Sequence, residues 1–127
     1  MRRSIMGTMM LVMSLACGLV LPLASFMIEF SRTITNYPNP FDSRSEFTTI
    51  LYNLSAESSV KVKIFDLLGN QVREFPVRKE GAGLNSLIWD GTDDTGRKVA
   101  KGGYLCAVEI ENENIEFVAT RKIGVIH

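Results

Sequence analysis

Residues 89–104 read WDGTDDTGRKVAKGGY. Trp89 ends an alternating segment, Leu84 to Asp90, in which Leu87 and Trp89 share one face and Ile88 takes the other. Tyr104 begins a second, in which Tyr104, Cys106, Val108 and Ile110 share a face. Aspartate, threonine and glycine crowd the stretch between them, and those residues favour turns over ladders. The run therefore predicts two β-strands joined by a long acidic loop from Gly91 to Gly103.

Working outward, the same period of two recurs. Ile50, Tyr52 and Leu54 oppose Thr49, Leu51 and Asn53, and Val60-Lys61-Val62-Lys63-Ile64 is a half-buried strand that extends to Asp66. Gly69-Asn70 is a tight connection into Val72–Phe75, and Pro76 ends that strand or confines it to an edge. Lys79 to Gly83 has the composition of a turn, as does Ser55 to Ser59. Asn112-Glu113-Asn114 turns the chain into Ile115–Thr120, and Arg121–His127 is expected as a separate last edge strand. No segment keeps a 3.6-residue apolar period over helical length. The fold expected is all-β, an antiparallel β-sandwich of about seven strands.

Tyr37-Pro38-Asn39-Pro40-Phe41 excludes helix and central strand, because two prolines remove two donors and fix φ. Tyr37 and Phe41 are expected to anchor this rigid segment against the core. The domain is expected to span residues 37–127, with 26–36 as a short lead-in in which Glu29 to Asn36 is either an edge strand or simply connecting chain.

Residues 1–25 read as an export segment. Arg2 and Arg3 precede an apolar stretch that carries no charge until Glu29. A cleaved signal peptide, cut near Ala24-Ser25, is expected, with an uncleaved membrane anchor as the alternative. Cys17 follows Ser14-Leu15-Ala16, a poor lipoprotein box, and reads as one more small hydrophobe rather than a lipidation site.

The chain has 127 residues with 14 basic and 14 acidic side chains. Without Arg2 and Arg3 the remainder is mildly acidic, and its basic residues are dispersed. Nucleic acid is excluded as a partner, since binding it needs clustered positive charge. The Arg78-Lys79 and Arg97-Lys98 pairs read as solvated loop charge. Cys106 is the one cysteine beyond the leader, so no internal disulfide is expected.

No residue set makes a catalytic site, and no cofactor is implied. Asp90, Asp93 and Asp94, with Thr92, Thr95 and Gly96, form the densest oxygen cluster. Calcium takes about six to eight oxygens, and the spacing lacks the alternating carboxylates and final glutamate of an EF-hand. The cluster reads as an aspartate-rich structural turn, with calcium as the alternative. Trp89 reads as a core anchor rather than a sugar platform. Cys106 lacks a base, and His127 stands alone at the chain end, short of the ligands zinc needs.

The succession YPNPF (37–41), IxYxL (50–54), VxVxIFDLLGNxV (60–72) and WDGTDDTGRKVxxGxY (89–104) resembles the FlgD-like immunoglobulin-like domain of the flagellar hook-assembly scaffold. It is equally similar to the C-terminal modules of exported bacterial proteins, type IX secretion sorting domains among them. The family pattern continues with Asn-Pro after the aromatic residue, where this chain has Asp42-Ser43. The resemblance implies an immunoglobulin-like sandwich whose motif residues are Tyr37, Pro38, Asn39, Pro40, Phe41, Asp66, Gly69, Trp89, Asp90, Gly91, Asp93, Gly96, Gly102 and Tyr104.

It further implies a non-catalytic, exported interaction or sorting module that contacts secretion machinery or a larger exported assembly, located in the cell envelope or outside it. Such modules usually follow a large cargo. Here the expected leader runs almost directly into the domain, so a stand-alone copy or the remnant of a longer product is expected. The alternatives are a membrane-tethered structural domain and a carbohydrate-binding module. Augmentation by a partner strand is expected at the terminal strands or at Val72–Phe75.

Overall fold

The computed structural model describes residues 34–127. The expected leader, Cys17 and most of the lead-in lie outside the described residues. Eight strands follow one another: β1 Ile34–Tyr37, β2 Thr48–Leu54, β3 Ser58–Asp66, β4 Gln71–Glu74, β5 Arg78–Glu80, β6 Gly83–Trp89, β7 Gly102–Glu111 and β8 Glu116–Val125. All strand pairs are antiparallel, the sequential β3-β4 and β7-β8 pairs as hairpins with short connections.

Two sheets form. The smaller has the order β1-β2-β6, and the larger β4-β3-β7-β8 with β5 also paired to β3. Alternation places the core between them. Ile50, Tyr52, Leu54, Leu87 and Trp89 point inward from the first sheet, meeting Val60, Val62, Ile64, Tyr104, Cys106, Val108, Ile110, Ile123 and Val125 from the second. The lysines of β3 face outward, where Lys61 pairs with Glu74 at 3.4 Å and Lys63 with Glu109 at 3.2 Å.

Three features depart from the sequence reading, and the first lies on strand β1, which forms where a lead-in or an edge strand was expected and buries Ile34 and Asn36 while pairing with β2. The same alternation turns Tyr37 outward to 77% exposure, so Phe41 alone, fully buried, anchors the proline segment. Residues 78–80 are a strand rather than loop: Arg78–Glu80 pairs with Ser58–Val60, the ladder overriding a weak β composition. Finally, β8 is one continuous strand of 10 residues. Arg121 and Lys122 do not break it: Lys122 faces solvent, and Arg121, on the inward side between buried Ala119 and Ile123, is only partly buried and donates from Nε to Asn36 Oδ1.

The Tyr37-Pro38 and Asn39-Pro40 bonds are cis. Past them the chain leaves the first sheet and joins the second: Phe41 bridges Val125 in parallel, its N–H donating to Gly124 O at 2.9 Å and its carbonyl accepting from Ile126 N at 3.0 Å. Asn39 fastens this crossing. Its Oδ1 accepts from Gly124 N at 2.9 Å and its Nδ2 donates to Lys122 O at 3.0 Å.

Trp89 is fully buried, whereas Leu68, at the β3–β4 hairpin, is 89% exposed. Trp89→Ala is expected to lower stability by about 3–5 kcal/mol, and Leu68→Ala by less than about 0.5 kcal/mol, both read from urea unfolding midpoints. Equal losses would contradict the placement of the core.

Candidate functional site

The indole of Trp89 is the centre on which the motif residues converge. Its ring meets Phe41 edge-on at 5.7 Å between centroids and Tyr104 at 5.8 Å. Phe41 belongs to the crossing segment, Trp89 to the end of β6 and Tyr104 to β7, so three aromatic residues far apart in sequence join both sheets. Trp89 Nε1 donates to Thr92 O at 2.9 Å, which fixes the entry of the acidic loop.

Each aspartate of the loop folds backbone around itself. Asp90 Oδ1 accepts from Thr92 N and the Thr92 hydroxyl, at 3.1 and 2.6 Å. Asp93 Oδ1 accepts from Thr95 N, the Thr95 hydroxyl and Arg97 N, at 2.9, 2.7 and 3.1 Å. Asp94 reaches across to β4: its N–H donates to Val72 O at 3.0 Å, and its Oδ1 accepts from Glu74 N at 3.0 Å. Arg73 completes the lattice, donating to Thr92 O and Thr92 Oγ1 at 3.2 and 2.5 Å while lying 4.6 Å over the Phe75 ring. Lys98 Nζ caps Asp90 O at 2.6 Å.

These contacts are those of aspartate-stabilised turns. The Oδ1 atoms of Asp90, Asp93 and Asp94 are taken up by amides and hydroxyls, and among the described residues no three acidic, histidine or cysteine groups are placed to hold a metal ion. Gly91 adopts φ +83°, and a Cβ there would stand 2.6 Å from Ser43 Cβ. Only glycine combines that backbone with that approach.

The same device closes the β3–β4 hairpin. Asp66 Oδ1 accepts from Leu68 N and Asn70 N, both at 2.9 Å, and Gly69 takes φ +92°. Behind the proline segment lies a relay the sequence did not disclose. Buried Asn36 donates to the hydroxyl of buried Thr48 at 2.9 Å, that hydroxyl donates to Pro38 O at 2.8 Å, and Arg121 Nε donates to Asn36 Oδ1 at 3.0 Å. A second cluster joins β5 to the smaller sheet: the Tyr52 hydroxyl donates to Glu80, Arg78 pairs with Glu80 at 2.9 Å, and Arg78 Nη2 donates to Ser86 O at 3.2 Å. Arg78 is therefore a cross-sheet brace rather than free loop charge. Burial, then Glu80, pushes the Tyr52 hydroxyl up to about 12.

The remaining chemistry-bearing residues are separate. Cys106 is fully buried in the core, which pushes its thiol up to about 12 and leaves it protonated. The carbonyl of His127 accepts from Ser43 N at 3.1 Å and from the Ser43 hydroxyl, so the chain end is used through its backbone. An open depression of about 410 Å³ lies at the far end of the sandwich, among Glu57, Ser59, Lys79, Glu111 and Asn112–Asn114. No buried side-chain polar atom lacks a partner among the described residues.

The sheet edges differ from expectation. Val72–Phe75 is not free, because Asp94 occupies Val72 O and Glu74 N on the outer side of β4. The C-terminal half of β8 is covered by Asn39 and Phe41. What sequence reasoning lacked in both cases was the partner, since Asp94 and Asn39 close edges that are distant along the chain.

Four aspartates are held low. The Arg44 side chain brings Asp42 to about 2. The Asn70 side chain lowers Asp66, the Thr92 hydroxyl lowers Asp90, and the Thr95 hydroxyl lowers Asp93. A depressed folded value stabilises above the unfolded value of about 4 and is lost as pH falls through the folded one. The urea midpoint is therefore expected to be level from about pH 7 to 5 and to drop from about pH 4 towards 2. Asp93→Asn, which keeps the acceptor but cannot titrate, should shrink that drop. A midpoint level down to about pH 2 would contradict the assignment. Gly91→Ala is expected to cost about 1–3 kcal/mol in the same assay, from strain and the Ser43 clash.

Comparison with known proteins agrees with this geometry. The FlgD Ig-like domain family matches residues 33–123. No curated protein matches the chain. Among solved structures it is similar to FLGD from P. aeruginosa, with 22% identity and a TM-score of 0.57 over 67% of this chain and 64% of that one. It is similar to dimeric latent PorU from Porphyromonas gingivalis, with 22% identity and a TM-score of 0.59 over 73% of this chain and 9% of that one. It is also similar to PorZ of Porphyromonas gingivalis, an essential surface component of its type-IX secretion system, with 20% identity and a TM-score of 0.53 over 80% and 12%. The chain spans less than two thirds of the length of each of these proteins. At these identities the likeness is one of fold.

Proposed function

The chain belongs to the FlgD Ig-like domain family, and from that premise we propose that it is a non-catalytic, exported module that acts by contact with other proteins of the cell envelope. The observation that carries this reading is the family match over residues 33–123, joined to a framework whose charged motif residues are consumed by turns. Hydrogen-bonded aspartates and a buried, protonated cysteine are unsuited to acid–base or nucleophilic work. Binding through surface and sheet edge is what a sandwich of this kind offers.

In this reading residues 1–25 are an export leader and the sandwich is presented outside the cytoplasm, as a secreted, periplasmic or outer-envelope protein. The partner is secretion machinery or a larger exported assembly, in keeping with relatives such as PorZ. Among the described residues no helix is long and apolar enough to cross a membrane, so membrane attachment would rest on the N-terminal segment.

Intact mass and N-terminal sequencing of the protein from fractionated host cells test the proposal. The expected result is a chain beginning near Ala24 or Ser25 in an extracytoplasmic fraction. A chain retaining Met1 in the cytosol would overturn export, and one retaining Met1 in the membrane would replace the cleaved leader with an anchor.

A further inference from the structure

Strand β6 is the outer strand of the smaller sheet, and it is guarded unlike the other edges. Natural sheets protect such edges with charge, proline or a covering segment. On the larger sheet, β4 is closed by Asp94, and β5 carries Arg78, Lys79 and Glu80. Strand β8 is covered by Asn39 and Phe41 in its C-terminal half and carries Glu116, Arg121 and Lys122. Strand β1 has four residues and runs into two prolines. Strand β6 has seven residues, GLNSLIW, without charge or proline, and the neutral run extends back to Gly81.

The backbone groups it leaves unpaired among the described residues can be assigned. Ser86 O accepts from Arg78 Nη2, on a strand of the other sheet, so it points away from β2. The N–H and C=O of one residue leave a strand on the same side, and the side alternates with each residue. Leu84, Ser86 and Ile88 therefore direct their backbone groups to the free edge, while Asn85, Leu87 and Trp89 direct theirs to β2. The same three residues project their side chains from the outer face, where Leu84 is 70% and Ile88 54% exposed.

The pattern Leu84-x-Ser86-x-Ile88 is self-complementary about Ser86. Run antiparallel against a second copy of itself, it sets Leu84 opposite Ile88, Ser86 opposite Ser86, and Ile88 opposite Leu84. Each outward pair is then apolar on apolar, and no like charges face one another within the strand. The arrangement is two-fold and closed, as an isologous interface requires. The outer face continues it, because Ile88 sits beside Thr49 and exposed Tyr37 in the register of the sheet. The Arg78 charge, nearest the two-fold axis, is already neutralised by Glu80 at 2.9 Å.

We propose that β6 is a self-association surface, on which two copies pair strand to strand about Ser86 into one continuous six-stranded sheet. Arg78 is the gate. Its bond to Ser86 O blocks the central acceptor and must release for the strands to close. The interface is small, a single strand pair, so the dimer is weak and dependent on concentration. Export and self-association stand or fall separately, since the first is read from the N-terminus and compartment and the second from β6.

Sedimentation velocity of the full chain, from about 1 µM to 1 mM, tests the surface, with far-UV circular dichroism confirming the fold of each variant. The wild type should pass from monomer to dimer across that range. Ser86→Pro removes an edge-facing N–H without touching the β2 ladder, and Leu84→Lys sets a charge against Ile88 of the second copy in place of an apolar pair; each should remain monomeric. Arg78→Gln, by freeing Ser86 O, should tighten the dimer about tenfold. A wild type that stays monomeric throughout would overturn the proposal. So would a dimer that survives both Ser86→Pro and Leu84→Lys, because it would be built elsewhere.

Discussion

The contact on which this domain depends is the burial of Trp89 with its indole N–H satisfied by Thr92 O. A tryptophan offers large apolar area and one polar atom, and burying the first is favourable only when the second finds an acceptor. Here the acceptor belongs to the loop that follows the strand, so packing the ring and shaping the loop are one event. Phe41 and Tyr104 meet the ring edge-on and carry the crossing segment and β7 to the same point. Gly91 follows as a consequence. With the ring seated, the chain must pass so near Ser43 that no side chain fits.

From that point the aspartates act as fasteners. Asp90 and Asp93 organise the loop, Asp94 carries it onto β4, and Asp66 closes the hairpin at the other end of β4. Ionised carboxylates suit this task because they accept several amide donors at once, and bonds to charged acceptors are stronger than neutral ones. The dense acidity of the loop thus serves architecture. Edge closure is a second result of the same fasteners. Asp94 and Asn39 each satisfy backbone groups that a free edge would present, leaving β6 as a long neutral border held by the side chain of Arg78.

Much of the fold was legible along the chain, for a local reason. In β2, β3 and β6 the buried residues fall on alternate positions, β7 departs from this only at Ala107, and each face is set by residues within a few positions of one another. The turns at Gly69-Asn70 and around Asp93 were legible for the same reason, since the hydrogen bonds that close them, to Asp66 and to Asp93, span at most four residues. Tyr37 was misplaced because its aromatic ring suggested burial, while the alternation of β1 depends on Ile34 and Asn36, the latter a polar residue buried by Thr48. Strand β5 was missed because Arg-Lys-Glu has no β signature, and its pairing is supplied by Ser58–Val60 some 20 residues earlier. The unity of β8 was hidden by Arg121 and Lys122.

By itself, then, the sequence determined the class of the fold, the faces of its main strands, the turns that separate them and the family to which the chain belongs. These are properties of short-range pattern, in which the period of the side chains and the φ preferences of glycine and proline act within a few residues. The tertiary structure alone decided which borders of the sheets are closed and which is open. Val72–Phe75 looks like an edge until Asp94 is folded over it, and Gly83–Trp89 looks like any central strand until Arg78 proves to be its outer neighbour among the described residues. Backbone groups carry no sequence of their own, so whether they are satisfied depends on what the fold brings beside them.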